Sequence, residues 1–85
     1  MKIKDIRLKN TNETRVDGRY PQRIGSNVEF YVQPSIGNVM VLSYITDNQG
    51  NEKEGILRTS LIDGIIENEK EVIITTVNSV YYFEK

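Results

Sequence analysis

Histidine, cysteine and tryptophan are all absent from this chain of 85 residues, and proline occurs only twice. Histidine is the commonest general base and metal ligand, and cysteine is the thiol nucleophile, so carboxylates, hydroxyls and amines alone remain for catalysis. Without cysteine, neither a disulfide framework nor a thiolate metal site can stabilise so small a domain. We therefore expect that the protein is not an enzyme and binds no cofactor or metal. Formation of a homodimer is one way to supply the missing stability.

Long apolar runs and glycine-rich nucleotide motifs are also missing. No apolar run approaches the ~20 residues of a membrane helix, and the first residues lack the apolar stretch of a signal peptide. Neither Gly-x-Gly-x-x-Gly nor a phosphate-binding loop occurs, and the polar turn at 47–51 lacks the residue order of a calcium loop. The sequence therefore predicts a soluble, cytoplasmic protein without a membrane partner.

The net charge of −1 conceals an uneven distribution along the chain. Residues 1–34 contain seven basic and four acidic side chains, a charge of +3, whereas residues 35–85 contain four basic and eight acidic ones, a charge of −4. If the fold separates these halves, one face is basic and the other acidic. The alternative is that the charges solvate strand faces and turns, as ordinary surface composition favours.

Apolar residues recur with a period of two nearly everywhere, which is typical of β-strands. The pattern predicts a small SH3-like or OB-like barrel, or a rolled antiparallel sheet, of five to seven short strands in one domain over residues 1–85. One break in the alternation of the first strand indicates a bulge. The predicted strands are Lys2–Lys9, Val28–Gln33, Val39–Thr46, Glu54–Thr59, Leu61–Glu67, Glu71–Thr76 and Val80–Glu84.

The segment 10–27 has no clear periodicity and is predicted to be one long loop. Connections of this length are uncommon in compact domains and are usually functional or disordered. It carries three arginines at a spacing of four and a tyrosine, residue types that anchor binding surfaces. The predicted binding residues are Arg15, Arg19, Tyr20 and Arg23.

Two interpretations of this loop remain open. If it is extended, Arg19 and Arg23 bind carboxylates or phosphates while Tyr20 stacks on a ring. In the alternative, Tyr20 and Ile24 lie under the barrel and the arginines pair with acidic neighbours. The candidate acidic partners are Glu13, Asp17 and Glu29.

Tyrosines suggest a second kind of ligand. Tyr82 should point away from Tyr81 and Phe83, because successive strand residues face opposite sides. Exposed tyrosines beside arginines would suit single-stranded nucleic acid through base stacking. The alternative is that the rings fill the barrel, and the net charge of −1 disfavours a dedicated nucleic-acid binder.

The C-terminal third resembles a known group of proteins. Gly-Ile-Leu-Arg-Thr-Ser-Leu-Ile at 55–62, followed by Val-Ile-Ile-Thr-Thr-Val-Asn-Ser-Val-Tyr-Tyr-Phe at 72–83, is similar to small uncharacterised proteins of phages and mobile elements in low-GC Gram-positive bacteria. The resemblance supplies no active site, but it implies that the chain occupies a host protein or sequesters a small signalling molecule.

The expected function is therefore a non-catalytic binding module, a phage or mobile-element accessory protein that binds a host protein, for example to inhibit a defence system. Its contact surface would be the 10–27 loop. The alternative is a small barrel that binds single-stranded nucleic acid or a nucleotide through the same arginines.

Overall fold

Six antiparallel strands close into a barrel in a computed structural model that describes residues 1–85. Each strand pairs with the next in chain order, and the last pairs back with the first. The predicted all-β barrel is confirmed, with a strand number inside the predicted range. The elements are β1 (Lys2–Leu8), α1 (Tyr20–Arg23), β2 (Asn27–Phe30), β3 (Val39–Thr46), β4 (Ile56–Glu67), β5 (Glu71–Thr76) and β6 (Ser79–Glu84).

Alternate side chains from every strand fill the barrel. The β6 pattern is the clearest, since Tyr81 and Phe83 are buried while Tyr82 lies half-buried on the outside, as the alternation predicts. The Tyr81 and Phe83 rings stack with centroids 6.1 Å apart, and Phe30 meets Phe83 edge-on at 5.6 Å. The buried apolar core comprises Ile3, Ile6, Val28, Met40, Leu42, Leu57, Ile62, Val72, Ile74, Tyr81 and Phe83.

The predicted bulge in β1 is present. The register with β6 shifts between Ile3 and Asp5, which explains the broken alternation. The Asp5 carboxylate accepts hydrogen bonds from the Ile6 N–H at 2.9 Å, Arg7 Nε at 2.8 Å and Thr14 Oγ1 at 3.1 Å. Partial burial acts to raise the pKa of Asp5, but the bonds from Arg7, Thr14 and Ile6 hold it below its ordinary value.

β4 is one bent strand where the sequence predicts two. Its first half pairs with β3, from Ser43 opposite Ile56 to Val39 opposite Leu61. Its second half pairs with β5 and begins only at Ile62. Residues 56–60 therefore have a strand neighbour on one edge only, and the other edge is free.

The predicted loop 10–27 lies between β1 and β2, but both of its ends pair with β1. At one end the Arg15 N–H donates to the Ile6 carbonyl at 2.8 Å, and at the other the Gly25 N–H donates to the Ile3 carbonyl at 2.7 Å. The middle forms α1, a single helical turn. The chain has no helix with the length and apolar character needed to span a membrane. Since β1 and β2 themselves pair only between Lys2 and Asn27, this segment closes the weakest seam of the barrel.

The basic first half and the acidic second half of the chain are mixed by the fold. Lys4 of β1 lies 3.9 Å from Glu71 of β5, and Lys9 pairs with Asp63 of β4. Barrel closure therefore places basic residues of the first half beside acidic residues of the second half at these two contacts.

Candidate functional site

Three of the four predicted binding residues form one cluster, in which Arg15 and Arg23 both contact the ring of Tyr20. The guanidinium carbon of Arg15 lies 3.8 Å from the centre of the Tyr20 ring, and that of Arg23 lies 4.8 Å from it. Both distances are typical of cation–π contacts. Arg19 is exposed beside this cluster.

Arg15 holds the segment before α1 against β6. Its Nε and Nη2 donate to the two carboxylate oxygens of Asp17 at 3.1 and 2.6 Å, and its Nη1 donates to the buried Ser79 hydroxyl at 2.8 Å. Its side chain is only 13% exposed. The hydrogen bonds from Arg15 lower the pKa of Asp17. For Arg15 the structure therefore shows the acidic pairing of the second interpretation, and its fork is already occupied.

Arg19 and Arg23 differ from Arg15 because neither forms an ion pair. The ion pairs of the chain use other cations. Tyr20 packs partly buried against the core, as the second interpretation predicts, and it supports Arg23 from below. These two arginines therefore remain free to bind an anionic ligand.

A groove of about 290 Å³, which we call the β4 groove, lies between α1 and the start of β4. Arg19, which precedes α1, and Gln22 and Arg23 of α1 line one side of it. The rest of the lining is Tyr44, Lys53, Glu54, Gly55, Ile56 and Leu57. Lys53 stacks on the Tyr44 ring at 4.2 Å, so three cations and one carboxylate border this groove.

A second cavity of about 180 Å³, which we call the polar pocket, lies between α1, the bend of β4 and the β5–β6 turn. No acidic side chain lines it. Arg23 borders both cavities, and Arg58 enters the pocket from β4. The lining residues are Tyr20, Arg23, Arg58, Thr59, Ser60, Thr76, Asn78, Ser79 and Tyr81.

Tyr81 contributes a neutral hydroxyl to the polar pocket. The residue is 2% exposed, and burial raises its pKa to about 12, an effect that Tyr20 reinforces and Arg23 and Arg15 partly offset. The Tyr81 hydroxyl therefore keeps its proton at neutral pH and can donate it to an anion.

The free edge of β4 borders the same region. The Tyr31 N–H donates to the Val41 carbonyl at 2.9 Å, so Val41 turns its backbone polar groups toward β2. Val41 lies opposite Arg58, and strand backbones alternate, so Arg58 and Ile56 turn their own polar groups away from β3. These two residues present unpaired N–H and C=O groups on the free edge.

Sequence reasoning identified Arg19, Tyr20 and Arg23 in the predicted loop but missed Arg58, Ser60 and Tyr81 as site residues. Arg58 stands alone among uncharged residues in the sequence, and only the bend of β4 brings it near α1. In comparisons with known proteins, the chain matches no protein-family model, no curated protein and no solved structure. The function must therefore be inferred from these side chains.

Proposed function

We propose that this protein is a non-catalytic binding module whose partner is a protein that places an acidic, extended segment in the β4 groove. The observation that carries this proposal is the pair of unpaired arginines, Arg19 and Arg23, on one wall of a groove whose other wall is a free strand edge. With Lys53 they give the groove three positive charges against the single negative charge of Glu54. Such a surface favours carboxylates over cations.

The free edge of β4 explains why the segment would be extended. An extended peptide that adds to a strand edge gains main-chain hydrogen bonds, and flanking pockets select its side chains. Ile56, which lines the groove, and Arg58, which lines the adjacent polar pocket, supply unpaired backbone groups for this pairing. The volume of about 290 Å³ is at the lower limit of ordinary ligand pockets, roughly 300–1,000 Å³, so the groove fits a few side chains of a segment.

A host protein is the partner class that the phage-like resemblance implies. Inhibition of a defence system would follow if the bound segment belongs to a defence protein. In this proposal Arg19 and Arg23 provide bidentate contacts, and Tyr20 acts by supporting Arg23. Arg15 acts indirectly, because it holds Tyr20 and the chain before α1 in place.

Single-stranded nucleic acid is less well supported by the tyrosines. Cations already stack on the rings of Tyr20, Tyr44 and Tyr82, and Tyr81 lies in the core. Tyr31 is therefore the one tyrosine ring that is exposed and carries no cation, whereas an aromatic platform stacks successive bases on several rings.

Binding of defined peptides tests the proposal. The probe is a fluorescent peptide of alternating Glu and Val, and its control has Gln at every Glu position. We expect fluorescence anisotropy to show binding of the Glu peptide only. The double substitution Arg19→Glu with Arg23→Glu should weaken binding at least ten-fold, which corresponds to about 1.4 kcal/mol.

The control variant carries Lys2→Glu with Lys70→Glu, the same charge change at exposed, unpaired lysines outside the β4 groove. It should bind as the unsubstituted protein does. Equal losses in both variants would show non-specific attraction and overturn the proposal. Tighter binding of an oligothymidine, with a steep loss in salt, would instead support nucleic acid.

A further inference from the structure

We infer that the polar pocket is a subsite for a phosphate monoester, presented by a phosphorylated side chain of the segment in the β4 groove; this inference rests on the proposed function. Arg23 connects the two cavities, since it lines both. In this proposal the phosphorylated side chain leaves the groove beside Arg23 and enters the pocket.

The charge of the pocket matches a phosphate. Arg23 and Arg58 line it, neither has a carboxylate partner, and no acidic side chain borders it. Two guanidinium charges equal the charge of roughly −1.5 to −2 that a phosphate monoester carries near neutral pH. A carboxylate, with one charge, would leave one guanidinium unneutralised.

The free hydrogen-bond donors also match a group with three terminal oxygens. Some pocket hydroxyls are already used, since Thr59 donates to the Ser60 carbonyl at 2.8 Å and Thr76 donates to the Ser79 carbonyl at 3.2 Å. The Ser60 hydroxyl and the Asn78 amide are not engaged in this way. Together with the Tyr81 hydroxyl and the two guanidinium groups, they supply more than one donor for each phosphate oxygen.

The size of the pocket favours a phosphorylated side chain over a whole nucleotide as the ligand. A volume of about 180 Å³ is many times the ~10–15 Å³ that one water needs, but it is below the roughly 300 Å³ at which ordinary ligand pockets begin. A phosphate on a short stem fits this space. A nucleoside would have to lie outside it, where Tyr20 already carries two guanidinium groups.

Inorganic phosphate tests the subsite alone. The full chain is titrated with phosphate while NMR follows the Nε signals of its arginines. We expect saturable shifts at Arg23 and Arg58, at least ten-fold weaker binding in Arg58→Gln, and an intermediate affinity in Arg58→Lys, which keeps the charge but loses the fork. Arg58 is exposed, so these variants should fold.

Lys70→Gln is the matched control, because Lys70 is exposed, unpaired and located at the opposite end of β5 from Thr76. It should leave phosphate binding unchanged. Absence of saturable shifts in the unsubstituted protein, or an equal loss in Lys70→Gln, would overturn the subsite.

Peptides then separate the subsite from the proposed function. A phosphoserine in the acidic peptide should raise affinity at least ten-fold over Glu at the same position, and Arg58→Gln should abolish that gain. If the acidic peptide binds but phosphoserine brings no gain, the subsite is overturned and the proposed function stands. If phosphate and adenosine monophosphate bind but neither peptide does, the phosphorylated side chain is the wrong source and the proposed function fails.

Discussion

At the scale of residues, three arginines with the same spacing in the sequence have three different environments. Arg15 is held by Asp17 and Ser79, Arg23 rests on Tyr20 at the border of two cavities, and Arg19 is exposed without a partner. The spacing of four residues in the sequence does not predict which arginine has which environment. The difference arises because the chain turns at α1, so each arginine meets a different part of the barrel.

We expect Arg15→Ala to destabilise the barrel by about 1–3 kcal/mol, because it removes a charged hydrogen bond to a buried hydroxyl together with a cation–π contact. For a domain of this size, each kcal/mol lowers Tm by roughly 4–8 °C. Arg19→Ala is the matched control and should change stability by less than about 0.5 kcal/mol. Thermal unfolding measures both variants, and equal Tm values would refute the structural role of Arg15.

Residue types in the sequence predicted part of the candidate site. Arginine and tyrosine in a segment without periodicity predicted Arg19, Tyr20 and Arg23 as binding residues. Arg58, Ser60 and Tyr81 could not be found in this way, because they come from two strands that approach α1 only after the barrel closes. No local pattern in the sequence records that meeting.

At the scale of elements, alternation predicted the strands well because each strand has one buried face. It failed at Thr59 and Ser60, where β4 bends and the alternation is lost, so one strand was divided into two. The segment 10–27 lacks alternation, as expected for a loop, but the sequence gives no sign that its backbone pairs with β1 or that its middle forms α1.

The contact between this segment and the β3–β4 turn gives a prediction at the same scale. Gly25 has a φ of +95°, and a Cβ there would lie 3.2 Å from the Cβ of Asn48. Gly25→Ala should therefore cost about 1–2 kcal/mol for the left-handed backbone and roughly 1 kcal/mol more for the crowding.

Gly37→Ala separates these two costs. Gly37 has a φ of +89° but open space around it, so alanine there should bear the backbone cost alone. Urea unfolding of both variants gives the comparison. A Gly37 variant as unstable as the Gly25 variant would argue against the packing of the segment on the turn.

At the scale of the whole molecule, closure of the barrel explains why charged residues from the two halves of the chain lie side by side. It also explains why the first and last strands pair with each other and do not each leave a free edge. The free edge that borders the β4 groove is internal, in the first half of β4. Hydrogen bonds from the ends of the segment 10–27 to β1 close the seam between β1 and β2. Asp5 and Arg15 lie near the centre of this seam.

This arrangement predicts how global stability depends on pH. The chain has no histidine, so no side chain of ordinary pKa titrates between about pH 5 and 8, and stability should be nearly constant there. Hydrogen bonds lower the pKa values of Asp5, Asp17 and Asp47 in the folded state. Their contribution is complete above the unfolded pKa of about 3.9 and is lost as the pH falls toward the lower folded values.

Thermal unfolding from pH 7 to pH 2 measures this dependence. Tm should fall below about pH 4, and Asp5→Asn should start from a lower Tm and fall less steeply. An Asp5→Asn profile parallel to that of the unsubstituted protein would show that Asp5 is not a source of the acid sensitivity.

The most direct measurement of the central claim is amide NMR mapping of the protein with the acidic peptide bound. We predict the largest shifts in α1 and at residues 55–58, including new protection of the Ile56 and Arg58 amides from hydrogen exchange, because these amides pair with the peptide. Shifts confined to other surfaces, such as the exposed Leu61 and Val77, with Ile56 and Arg58 still unprotected, would contradict binding in the β4 groove.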